Sequence, residues 1–172
     1  QTPDRGHDIK VPWELSRLQH LPTLGIASAL SGEARFRERA VAHVASFLAE
    51  NPVYRGVNWS CTMDVALRAS QLLAAEGYLR GAGDERFWSD LLKALLLHAR
   101  FILDNLEDGP VRGNHYLSGL AGLYLCGLGL PEFGEAPGWR KFGRENLVLE
   151  MRRQVTGEGM DYEASLSYHA FA

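Results

Sequence analysis

Residues 84–103 read DERFWSDLLKALLLHARFIL, and this stretch decides the fold class. Asp84 stands where a helix wants an N-cap, because its short carboxylate can accept a bond from a free backbone N–H of the first turn. Behind it Phe87, Leu91, Ala94, Leu95, His98 and Ile102 recur at helical spacing and form one apolar stripe. Leu92, Leu96, Leu97 and Leu103 make the opposite side apolar as well. A helix apolar on two sides is covered on two sides, which predicts an inner layer of helices.

Working outward, the same grammar repeats. The pattern predicts a helix over Pro12–Leu30, with a break before Pro22, and a second over Glu33–Ala49, opened by Ser31-Gly32 and stopped by Asn51-Pro52. A third runs from Ser60 or Thr62 to Gly77, a fifth from Asn114 to Gly129, a sixth from Pro137 to Arg152-Arg153 and a seventh from Tyr162 to the last residue. No alternating strand pattern competes. The expected fold class is all-α, built from stacked helical hairpins with short connectors, and residues 1–172 form one partial domain. The last helix has hardly begun where the sequence stops, so further chain is expected beyond it.

The chain has 172 residues with a formal net charge of -3. It contains no Lys/Arg-rich run, which argues against a nucleic-acid partner. A mildly negative total does not exclude an acidic ligand, since the local field in a cleft decides. The uncharged run Tyr116–Pro131 is shorter than the roughly 20 residues of a membrane helix and is interrupted by four glycines, so a buried core helix is expected and no membrane span. Cys61 and Cys126 lack any C-x-x-C or Cys/His spacing and read as two buried thiols. The six histidines have no metal-ligand spacing, so no metal and no cofactor are expected. His98 reads as a core histidine.

Four segments can carry chemistry. Gly113-Asn114-His115 opens an apolar helix. Asn114 reads there either as a helix cap or, with His115, as a grip on a carboxylate at a helix N-terminus. In Glu163-Ala-Ser165-Leu-Ser167-Tyr168-His169, Tyr168 is either core or an acid–base group; a phenol acts at neutral pH only beside positive charge or a strong donor. In Gly56-Val57-Asn58-Trp59 the indole is either core or a platform for a sugar ring, with Asn58 bonding its hydroxyls. Trp13, Glu14, Arg17, Gln19 and His20, within two turns, read as a solvated face or as a sugar-binding groove.

Taken together, these segments resemble the heparinase II/III-like polysaccharide lyases, which include heparan sulfate and alginate lyases. The resemblance rests on Val11-Pro12-Trp13-Glu14-Leu15-Ser16-Arg17-Leu18-Gln19-His20, on Gly56-Val57-Asn58-Trp59 with Asp64-Val65-Ala66-Leu67-Arg68, on Asn114-His115 with Gly119-Leu120-Ala121-Gly122-Leu123, and on Glu163, Ser165, Tyr168 and His169. It implies an incomplete (α/α) toroid followed, in the whole protein, by antiparallel β domains that this chain lacks. It also implies β-elimination at a uronic acid of an acidic polysaccharide: Asn114 helped by His115 neutralises the uronate carboxylate, and Tyr168 is the catalytic acid, and also a possible base, at the glycosidic oxygen. Trp13, Glu14, Arg17, Gln19, His20, Asn58, Trp59 and His169 are the implied substrate contacts. A further family histidine lies in the β domain, so this chain alone is expected to be inactive. Family members act mainly in the bacterial periplasm or outside the cell. Many relatives carry a second Asn at Gly113 and an acid at Gly119. Two other classes fit the residues: a toroid glycosidase using acids among Glu14, Asp64, Asp161 and Glu163, and a non-catalytic helical scaffold that binds polysaccharide.

Overall fold

The computed structural model describes residues 8–110, 112–160 and 162. Among these the regular elements are all helical, with no strand: α1 (Lys10–Ser16), α2 (His20–Ser31), α3 (Ala34–Glu50), a 3₁₀ turn (Val57–Trp59), α4 (Thr62–Leu79), α5 (Glu85–Asp104), α6 (Asn114–Gly129) and α7 (Ala136–Gln154). The all-α expectation holds. The expected seventh helix lies, apart from Tyr162, outside the described residues.

α4 is the hub, packing against α2, α5 and α6, with α7 laid on α6. Its sequence suits that place: Val65, Ala66, Ala69, Leu72, Ala75 and Leu79 are all buried, and the alanines keep the helix slim enough to be approached from several sides. α5 buries one of its apolar sides as expected, but the other is only partly covered: Leu92, Leu96 and Leu97 are half-buried and Leu103 is exposed. Leu91, Leu95, Ala99 and Ile102 are buried, and Asp84 caps it by accepting from the Phe87 N–H at 2.8 Å. α6 approaches its neighbours through missing side chains. A Cβ on Gly122 would lie 2.8 Å from that of Ala66 on α4, and one on Gly127 would lie 2.4 Å from the Arg140 backbone nitrogen on α7.

Three boundaries differ from the sequence expectation. The break in the first helix falls at Arg17–Gln19 rather than before Pro22, because Leu18 takes a left-handed conformation (φ 58°) while its side chain is buried; Pro22 sits in the first turn of α2, where its missing N–H costs nothing. Gly32 ends α2 as a left-handed C-cap (φ 74°) and does not open α3. α4 runs through Gly77 to Leu79, since burying Leu79 outweighs the roughly 1 kcal/mol cost of a helical glycine.

Both cysteines are free and buried, as expected. No described helix is long and apolar enough to cross a membrane.

Candidate functional site

The N-termini of α4 and α6 and the end of α1 meet around a cavity of about 270 Å³ lined by Lys10, Trp13, Glu14, Arg17, Cys61, Met63, Asn114 and His115. Each wall has a local cause. α1 is short because the chain turns at Leu18, and the turn leaves Trp13, Glu14 and Arg17 on its inner side. The Trp13 indole N–H donates to the Val57 carbonyl at 2.8 Å, tying α1 to the 3₁₀ turn. The Arg17 Nε donates to the Asp64 carboxylate at 2.6 Å, and Asp64 is buried, with its second oxygen bonded to nothing among the described residues.

α6 supplies the polar end. The N-cap is Gly113 in extended conformation, and no side chain among the described residues caps the helix. Asn114 is therefore the first helical residue and not the cap, and it is one of the residues lining the cavity. An uncapped N-terminus of a helix this long presents free N–H groups and a partial positive charge. His115 follows it into the cavity wall and bonds through Nδ1 to the Glu107 carboxylate at 2.7 Å.

Cys61, Glu107 and His115 place one donor atom each within 4.8 Å of one another, a spacing that a cation also asks for. Here they satisfy one another. The thiol reaches toward Glu107 at 3.9 Å. Burial pushes it up to about 12, against a hydrogen bond from the Asp64 backbone that pulls it down and with the carboxylates of Asp64 and Glu107 pushing further up. With no cation bound it is thus a protonated thiol at neutral pH.

The site gathers Trp13, Glu14, Arg17, Asn114 and His115 of the residues proposed from sequence. It does not gather four others. Trp59 is 5% exposed and packs edge-on to Phe101, 4.6 Å from the His98 ring, with the Arg68 guanidinium 5.1 Å from its centre; it is core and offers no face to a sugar. Asn58 is half-buried and donates to Asn51 at 2.7 Å. His20 pairs with His43 at 3.0 Å and lines a different surface hollow with Phe47 and Glu50; burial and the neighbouring His43 lower its pKa. Gln19 is exposed at the start of α2. The cause is again the Leu18 turn, which sends Gln19 and His20 away from Trp13 and Arg17. Tyr168 and His169 lie outside the described residues. Lys10, Cys61, Met63 and Glu107 were missed, and only three-dimensional proximity singles them out.

The chain matches one family over nearly its whole length. Residues 2–172 match the model described as heparinase II/III N-terminus. The chain belongs to that family. It is 23% identical over 172 residues to a heparin-sulfate lyase of Pedobacter heparinus and 24% identical over 187 residues to one of Bacteroides stercoris. Each alignment covers 96% of this chain but only 26% and 28% of the relative, so the chain spans about a quarter of the length of these relatives. The structure superposes on a heparan sulfate lyase of Pedobacter heparinus with a TM-score of 0.79 at 22% identity, covering 98% of this chain and 27% of that one. A heparinase III structure gives 0.75 at 23% identity, covering 90% and 24%. The helical layer of this heparinase II/III family member is therefore the fold of the corresponding quarter of those enzymes.

Proposed function

We propose that the protein containing this chain is a polysaccharide lyase that cleaves a uronic-acid polymer of the heparan sulfate class by β-elimination, and that residues 1–172 form part of its toroid domain, the β domains lying elsewhere in the protein. The observation that carries this reading is the uncapped start of α6. Asn114 is free of the capping duty that local sequence assigns to it and faces a cavity beside His115 and Arg17. The similarity to heparin-sulfate lyases over nearly the whole chain supports it.

The chemistry needs such a place. The C5 proton of a uronate is weakly acidic, and its removal throws negative charge toward the carboxylate. Fixed donors at that carboxylate stabilise the charge as it develops. The Asn114 amide and the α6 N–H groups are the donors this chain offers, with the His115 ring beside them. The base takes the C5 proton, a double bond forms between C4 and C5, and the C4–O bond breaks with a proton delivered to the leaving oxygen. Tyr168 has that last role in this proposal. The glycosidase reading has less support, because Asp64, one of its acids, is buried and bonded to Arg17 and cannot reach a sugar as a free acid.

The test is the whole protein against heparan sulfate, alginate and other uronic-acid polymers, read by ultraviolet absorbance of the unsaturated product. Expected is absorbance growing with a heparan-type polymer. New reducing ends without absorbance would establish a hydrolase instead, and neither signal on any polymer would leave a binding scaffold.

A further inference from the structure

Glu107 lies outside every segment that points to function, on the connector between α5 and α6, yet it is tied to the site from both oxygens. Oε2 bonds His115 Nδ1 at 2.7 Å, and Oε1 accepts the backbone N–H of Thr62, the first residue of α4, at 3.2 Å. The connector is itself pinned. The Thr62 hydroxyl donates to the Asn105 carbonyl at 2.6 Å, and Leu106 packs onto α6 where Gly119 leaves room, a Cβ there falling 2.9 Å from a Leu106 methyl. Glu107 is thus held against His115 by two helices and is not a freely moving surface acid.

We infer that Glu107 is a positioning residue, which holds the His115 ring with its proton on Nδ1 and so presents Nε2, a bare acceptor, to a hydrogen of the uronate bound in the Asn114 cavity. A neutral imidazole has one N–H and one bare nitrogen, and the partner of the first decides which is which. A carboxylate can only accept, so it fixes the proton on Nδ1. Glu107 thereby selects one of two tautomers and stops rotation of the ring. The side chains are 38% and 43% exposed, and a pair that open adds little to stability. Its consequence is orientation. A carboxylate inside a site for an anionic polymer would otherwise repel the ligand. Here it accepts from the His115 ring and from the backbone N–H at the start of α4, and Arg17 and Lys10 line the same cavity, with Glu14 as a further acid there and Asp64 bonded to Arg17. The role in turnover rests on the lyase reading; the state of the ring does not.

Two measurements on the whole protein test the proposal separately. Nitrogen-15 NMR of the His115 ring, at a pH where it is neutral, needs no substrate and no variant. It should show Nδ1 protonated and Nε2 bare, and in Glu107→Ala the Nε2–H form should appear. An Nε2–H ring in the wild-type protein overturns the inference whether or not the protein is a lyase. Cleavage of heparan sulfate, followed by ultraviolet absorbance, then gives kcat and KM. Glu107→Ala should lower kcat roughly 10- to 100-fold, the loss expected when a reacting group is displaced by about an ångström, with KM within about threefold. Glu107→Gln, whose carbonyl still accepts from Nδ1–H, should recover part of it. Equal loss in both variants, tracking a fall in folded protein measured by circular dichroism, would reduce Glu107 to a cap of α4. A wild-type protein without lyase activity would refute the lyase reading and leave the ring assignment to the NMR result.

Discussion

Arg68 and His98 form a bonded pair with no access to water: the Arg68 Nε donates to His98 Nε2 at 2.9 Å, and both side chains are 0% exposed. The His98 Nδ1–H donates in turn to the Ala94 carbonyl at 2.6 Å. Arg68 also donates to the Ser16 hydroxyl at 3.1 Å and to the Asn58 carbonyl at 2.9 Å, and lies over the rings of Phe47 and Trp59. One guanidinium therefore joins α1, the 3₁₀ turn, α4 and α5, and it holds the turn to which Trp13 is tied.

Arg68→Ala should destabilise the fold by at least about 3 kcal/mol, since it leaves several buried acceptors without a donor. Urea denaturation measures this. A loss below about 1 kcal/mol would mean that water replaces the guanidinium, which the packing forbids.

The same pair makes stability depend on pH. Burial, with the Arg68 charge beside it, pushes His98 down to about 3 from its ordinary 6.5. The unfolded chain therefore binds a proton at His98 between about pH 6.5 and 3 that the folded chain does not. Stability from this group is complete above about pH 6.5 and is lost as pH falls toward 3. His98→Gln, whose carbonyl can still accept from Arg68, should flatten that part of the stability–pH curve. Denaturation midpoints at pH 7.5 and 5 for the two proteins check it; parallel slopes would show that His98 does not carry the dependence.

Gly127→Ala should cost about 1–3 kcal/mol by overpacking. Its methyl would meet the α7 backbone, at 2.4 Å from the Arg140 nitrogen and 2.8 Å from the Ala136 oxygen, and backbone cannot swing aside as a side chain can. Gly138→Ala, where a Cβ meets nothing, is the matched control and should be neutral or slightly stabilising. Thermal unfolding of the two variants decides.

Two of the four tryptophans, Trp13 and Trp59, separate core from site. Trp59→Ala should lose about 3–5 kcal/mol of stability, as for other buried aromatic truncations, while Trp59→Phe should leave substrate affinity unchanged. Trp13→Ala should instead raise KM for the polysaccharide, because its ring lines the cavity. A raised KM in Trp59→Phe at normal stability would return Trp59 to the binding surface.

The helices were legible because apolar spacing and capping are local: α5 could be read whole, from the Asp84 cap to Ile102. The errors fall where a tertiary contact overrode a local signal. Proline marks a helix boundary in sequence, yet the break moved to Leu18, a residue with no turn propensity, because a left-handed turn there buries its side chain. Asn114 looked like a cap, and the extended Gly113 took that place. Trp13 and Trp59 have the same character in sequence, and only the packing of Arg68, His98 and Phe101 around one of them tells core from cavity. Glu107 carries no motif at all. Its bond to His115 exists because Leu106 and Thr62 hold the connector, and such a contact cannot be read from either strip of sequence alone.

Asn114→Ala and Tyr168→Phe in the whole protein test the proposed reaction from its two ends. Asn114 makes no cap bond among the described residues and lines the cavity, so its removal should leave the unfolding transition almost unmoved. A capping Asn replaced by Ala would instead cost about 1 kcal/mol. The loss should appear in turnover. A donor aimed at developing charge is worth about 100- to 1000-fold in kcat, and since the interaction strengthens in the transition state, kcat should fall more than KM rises. Tyr168→Phe removes one oxygen. It should abolish most turnover and leave heparan sulfate binding close to wild type, measured by calorimetry on the inactive variant. Loss of stability without loss of kcat in Asn114→Ala would make it a structural residue. Full activity in Tyr168→Phe would move the acid to another group and undo the assignment made here.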